Sequence, residues 1–129
     1  MVLSKDTKVG YLYIILTIAF TVYGQLILKQ QVNTLSAVPS GIMLVPFYVK
    51  FIISRPLVLS GFISAVLASI AWIAAISKFE LSYAYPFMSL NFVIVVMLSL
   101  MFFGENLNSY KIVGLILICI GVFVVSKGV

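Results

Sequence analysis

Three uncharged apolar runs, Val9–Leu28, Pro56–Ser77 and Leu81–Gly104, divide the chain, and a shorter fourth, Tyr110–Ser126, is bracketed by Lys111 and Lys127. A bilayer's hydrocarbon core is about 30 Å thick and takes about 20 helical residues to cross. Each run therefore predicts a transmembrane helix, the two lysines of the fourth extending their stems to the interface. The expected fold class is an all-α membrane protein, a single domain over 1–129 with transmembrane helices at about 9–29, 56–77, 81–104 and 110–126. Composition points the same way. Of 129 residues 64% are hydrophobic and 9% charged, where soluble domains carry about a quarter, and so short a chain has too little interior to hide that surface from water.

Lys5 and Lys8 precede the first run as they would a secretory signal. That run is longer than a signal's apolar core, and no small-residue cleavage site follows Leu28, so it reads as a retained helix. The connections at 78–80 and 105–109 are short and make the last three helices antiparallel neighbours. The first connection is longer. Its stretch VNTLSAVPSGIMLVPFYVKFIIS is interrupted by Pro39, Pro46 and Lys50, and its apolar part is too short to span, so Gly41–Ile53 is predicted to be an interfacial or re-entrant element. Basic residues divide evenly between the faces: Lys5, Lys8, Lys78 and Lys127 on one, Lys29, Lys50, Arg55 and Lys111 on the other. Positive-charge bias thus selects no orientation, a pattern that suits a chain inserting both ways and equally one half of a heterodimer.

Several function classes drop out. With no His and one Cys, the chain has no transition-metal constellation, no intrachain disulfide and no Cys–His nucleophile; Cys119 reads as a small core residue. The three acids lie near the predicted membrane ends and form no catalytic pair. No enzyme activity, cofactor or metal is expected. The net charge of +5 comes from lysines and an arginine scattered singly, which gives a nucleic-acid backbone no stripe to follow.

The polar residues inside the runs carry the functional signal, because polar groups at membrane depth are costly unless they face a partner or water. Thr17, Thr21, Gln25 and Lys29 recur at intervals of four along one side of the first helix. Hydroxyl, hydroxyl, amide and ammonium in that order suit an anionic polar group entering from the Lys29 end; the threonines could equally bond back to their own helix, and Lys29 could serve only as an interface anchor. That run contains no Asp or Glu, and a proton-coupled exporter of cations needs a membrane carboxylate to exchange a proton for its cargo. The third run opens SYAYPFMSLNFV. Pro86 removes a backbone donor and frees carbonyls near Ser82 and Tyr83. Tyr85 and Ser89 share one face of an ideal helix, and Asn91 the opposite one with Ala84 and Met88. Tyr83 and Tyr85 also suit an interfacial aromatic belt, and Asn91 needs a partner, in the protein or in a ligand. In the fourth run Gly114 and Gly121 fall on nearly one face, where a second helix can approach closely.

These pieces resemble a known family. The whole chain is similar to the four-helix members of the drug/metabolite transporter superfamily, the small multidrug resistance proteins among them. GLILICIGVFVV, from Gly114 to Val125, is similar to their dimerisation helix. GQLILKQQ at Gly24–Gln31 and AYPFMSLNFV at Ala84–Val93 resemble the small subunits of the flippase for 4-amino-4-deoxy-L-arabinose-phosphoundecaprenol. Thr21 stands where the multidrug exporters carry their glutamate, and Met88 where they carry a tryptophan. The resemblance implies movement of a polyprenyl-phosphate-linked sugar between leaflets of a bacterial cytoplasmic membrane, by a homodimer or by a heterodimer with a related small subunit. Gln25 and Lys29 would attract the phosphate, with Thr21 beside them. Tyr83, Tyr85, Ser89 and Asn91 would line the sugar's route, and Gly114 and Gly121 would form the dimer interface. No family counterpart matches 41–55, a segment that would cover one mouth of the groove or dock a membrane glycosyltransferase. The competing readings are an exporter of small metabolites or cations and a non-transporting partner of such a glycosyltransferase.

Overall fold

The structure, a computed structural model, describes residues 5–128. Its elements are α1 (Lys5–Val32), a 3₁₀ turn (Gly41–Met43), α2 (Leu44–Ser54), α3 (Pro56–Ile76), α4 (Leu81–Met88), α5 (Leu90–Phe103) and α6 (Ser109–Val125). In hydrocarbon every backbone N–H and C=O must be satisfied within its own segment, and among the described residues the regular structure is helical throughout. Three helical stretches are long and apolar enough to cross a membrane: Lys5–Val32, Pro56–Ile76 and Leu81–Phe103, the last comprising α4 and α5. The 17 residues of α6 reach about 25 Å, at the short end of the spanning range. Tyr110 and Lys111 sit at one end of it and Lys127 just past the other.

Helix ends follow local chemistry. Pro56 occupies the first turn of α3, where its missing N–H costs nothing. Gly104 ends α5 in a left-handed conformation, φ 63°. Asn108 caps α6 by accepting from the Lys111 N–H at 2.9 Å. Two ion pairs show that the spans alternate in direction. Lys78 Nζ lies 3.5 Å from Asp6 Oδ1 at one end of the bundle, and Lys29 Nζ lies 3.6 Å from Glu105 Oε1 at the other.

The first connection carries a helix, and at 11 residues α2 is too short to span. Its Phe51 is buried, and the Arg55 guanidinium lies 4.9 Å over that ring while donating to Thr34 Oγ1 and Gln31 Oε1. One side chain thereby ties the end of α1 to the start of α3.

α1 and α3 form the main helix pair. The buried face of α3 reads Val58, Gly61, Ser64, Ala68, Ala71, Ala75, mostly small residues at spacings of three or four. Lipid supplies no hydrophobic drive between helices, so close van der Waals approach and interhelical hydrogen bonds hold them together. Both occur here. A Cβ built on Gly24 would stand 3.1 Å from the Gly61 carbonyl oxygen, Ser64 Oγ donates to the Phe20 carbonyl at 2.7 Å, and the Tyr23 and Ser60 hydroxyls lie 3.1 Å apart. Ile14, Ile18 and Val22 of α1 pack with Ala75 and Ala84 in the largest apolar cluster. α6 is held loosely, with Val122 its buried residue. Outward apolar side chains such as Ile15, Ile63 and Phe123 are exposed, which is how lipid-solvated helices read.

The seam makes a directional prediction. Gly24→Leu drives a side chain into a backbone carbonyl that cannot rotate away and is expected to cost about 1–3 kcal/mol. Gly61→Ala meets its first atom at ordinary contact distance, 3.5 Å, and is expected to stay within about 0.5 kcal/mol. Detergent denaturation followed by circular dichroism measures both; equal losses would mean that the helices do not cross at these glycines.

Candidate functional site

α1, α3 and the α4–α5 pair enclose a cavity of about 1000 Å³. α1 contributes Thr17, Thr21, Gly24 and Gln25; α3 contributes Gly61, Ala65, Ala68, Ser69 and Trp72; the third span contributes Ser82, Tyr85, Met88, Ser89, Asn91 and Phe92, among others. The room on the α3 side comes from its small residues. Ala65 and Ser69 are exposed although they lie near the middle of α3, and Tyr85 and Phe92 are 64% and 65% exposed. Openings near mid-helix are on the flank of the bundle, so the cavity opens sideways.

The wall is mostly apolar, with hydroxyl and amide groups set into it, and among the described residues no Asp, Glu, Lys or Arg lines it. Three of its hydroxyls are satisfied locally. Thr17 donates to the Tyr13 carbonyl at 2.8 Å, Ser69 to Ala65 at 3.0 Å and Ser89 to Pro86 at 2.5 Å. Thr17 thus follows the back-bonding alternative. Asn91 differs, because its Oδ1 is buried and without a hydrogen-bond partner. Such an atom costs about 1–3 kcal/mol.

A break in the third span brings Asn91 to the same cavity as Tyr85 and Ser89. On an ideal helix Ser89 and Asn91 point to opposite sides. Pro86 has no N–H to offer Ser82, and the chain tightens: the Ser89 N–H bonds to the Pro86 carbonyl and the Phe92 N–H to the Ser89 carbonyl, both at 3.0 Å. These i→i+3 turns advance further round the axis per residue than α turns. They separate α4 from α5 at Ser89.

Thr21, Gln25, Tyr85, Ser89 and Asn91 of the predicted site line this cavity. Two others do not. Tyr83 is buried on another face, its hydroxyl hydrogen-bonded to Tyr11 and its ring among Phe79 and Phe87; two positions from Tyr85 on a helix, it is turned far from the wall. Lys29 stands one turn beyond Gln25, at the end of α1, paired with Glu105. Sequence reasoning passed over Trp72, whose ring meets Tyr85 edge-on at 5.9 Å, although a single tryptophan in a run of small residues was a readable signal. Gly114 and Gly121 have nothing within 4 Å of a Cβ built on either.

With this geometry in view, comparison with known proteins is informative. Residues 8–127 match the EamA-like transporter family. A protein of Proteus mirabilis (strain HI4320) named "Probable 4-amino-4-deoxy-L-arabinose-phosphoundecaprenol flippase subunit ArnF" is 30% identical over 124 residues, 93% of this chain and 93% of the relative. A protein of the same name from Photorhabdus laumondii subsp. laumondii is 28% identical over 124 residues, 92% of this chain and 97% of the relative. No solved structure matches. The chain, a multi-pass membrane protein with a side-opening cavity between its helices, therefore belongs to the EamA-like transporter family.

Proposed function

We propose that this transporter is a flippase subunit that moves a polyprenyl-phosphate-linked sugar between the leaflets of a bacterial cytoplasmic membrane. The observation that carries the reading is the flank opening of a cavity whose mostly apolar wall holds uncharged hydroxyl and amide groups. A lipid-linked sugar has a head that will not cross hydrocarbon and a tail that need not leave it. A groove that holds hydroxyl and amide groups within and opens at the side meets both requirements. Gln25, Thr21, Tyr85, Ser89 and Asn91 offer hydroxyl and amide partners to a sugar, and Lys29 stands where the phosphate would lie at the cavity's end. The flippase name of the two relatives supports the same substrate class. Export of a cation by proton exchange fits less well, since no carboxylate lines the cavity.

The working unit is proposed to be a dimer through α6, with a second copy or a related small subunit. The open space beside Gly114 and Gly121 and the exposure of most of α6 support it, because glycines on an outward helix face admit another backbone.

Three measurements test the reading. In proteoliposomes carrying a polyprenyl-phosphate aminosugar on one leaflet, an impermeant amine reagent on the other counts transferred heads. Wild-type protein is expected to speed transfer, and Lys29→Ala to slow it about tenfold, the worth of one charge-assisted hydrogen bond; transfer at the protein-free rate would exclude the function. Asn91→Leu removes an unmatched amide from an apolar wall, so its melting temperature should hold or rise while transfer falls. A lower melting temperature with normal transfer would assign Asn91 a structural role. Finally, Gly114→Leu together with Gly121→Leu should abolish a cross-linked dimer without unfolding the subunit, and persistence of that dimer would place the interface elsewhere.

A further inference from the structure

The polar row on α1 passes from Gln25 in the cavity wall to Lys29 one turn beyond it. In this structure the ammonium of Lys29 is already paired, with Glu105 Oε1 at 3.6 Å. Glu105 follows the left-handed Gly104 in the connection between α5 and α6. It is the one acid at this end of the bundle; Asp6 and Glu80 lie at the other. Both members of the pair are well exposed, with side chains 49% and 39% accessible. The separation and exposure describe a weak, exchangeable contact, of the class that shifts an equilibrium by about two- to fivefold.

We propose that Glu105 is an anionic place-holder for the substrate, occupying Lys29 until a lipid phosphate ester displaces it. This rests on the flippase reading above and adds the regulation of its phosphate position. Carboxylate and phosphate each bring negative charge to one ammonium, so they compete for it. Once the phosphate is seated, like-charge repulsion turns Glu105 away, and the α5–α6 connection loses this ion pair to α1. Arrival of the anion is thereby coupled to release of the corner on which α5 and α6 meet. An empty cavity keeps the corner tied.

The test is a double-mutant cycle on the intact protein in detergent, with farnesyl phosphate as the titrated probe and isothermal titration as the readout. Glu105→Gln removes the competitor and is expected to tighten binding about two- to fivefold. Lys29→Ala is expected to weaken binding, and in that background Glu105→Gln should change nothing. If Lys29→Ala binds as wild type does, the phosphate position of the flippase reading falls. Weak binding by Lys29→Ala with no gain from Glu105→Gln leaves that reading standing and overturns the place-holder. A gain that persists without Lys29 would show general charge repulsion and also overturn it. Dihexanoyl phosphatidylglycerol is the second probe; an equal gain with it would move the site to bulk lipid headgroups and refute the substrate assignment.

Discussion

The close approach of α1 and α3 through Gly24 and Gly61 is the contact on which the rest of the structure depends. Between helices in lipid there is no water to expel, so stability must come from short contact distances and from hydrogen bonds that hydrocarbon does not weaken. The glycine crossing supplies the first and Ser64 on the Phe20 carbonyl the second. This pair then acts as a rigid wall. The small residues that allow the crossing continue along α3 as Ala65, Ala68 and Ser69, and where they turn toward the third span they leave the space that is the cavity. Seam and cavity are two consequences of one run of small side chains.

The opposite wall is the soft one. Pro86 and the turn at Ser89 divide the third span into α4 and α5, and this break decides which polar groups face inward. A chain with the same residues and an unbroken helix would turn Asn91 away from Ser89. Thr17, Ser69 and Ser89 tolerate an empty cavity because they bond back to their own helices. Asn91 Oδ1 has no such outlet, and burial of an unmatched amide oxygen is disfavoured. On the proposed function, the energetic asymmetry between an empty and a filled groove resides chiefly in this one side chain.

Much of this was readable from the amino-acid sequence, and the reason is the bilayer. Its fixed thickness turns the length of an uncharged run into a span, and its intolerance of polar groups turns Thr21, Gln25 and Asn91 into site candidates before any coordinates exist. Periodicity along one helix was equally legible: Thr17, Thr21 and Gln25 do share the cavity. Contacts between helices were not. Tyr83 and Tyr85 look alike in a sequence, and only the position of Tyr11, in another helix, decides that Tyr83 is buried and Tyr85 faces the groove. Lys29 looked like a free cation because its partner Glu105 lies at the far end of the third span. Gly24 and Gly61 belong to different runs, so no spacing rule within either run reveals that they meet.

Charge placement gives the bundle a further asymmetry. The two ion pairs tie both ends of α1 to the connections flanking the third span, Asp6 to Lys78 and Lys29 to Glu105. Both pairs are solvent-exposed and individually weak, so packing along the helix lengths holds α1, α3 and the third span together. α6 has no such brace to α1; Lys111 reaches only the Asn106 carbonyl in its own connection, and most of the helix is exposed. A helix so lightly held gains most from a partner outside the subunit, whether lipid or protein. On the proposed function that partner is protein, since Gly114 and Gly121 leave open space that a second helix can use. The cavity and the open helix face therefore lie on different parts of the fold, joined where α6 packs on α4 and α5.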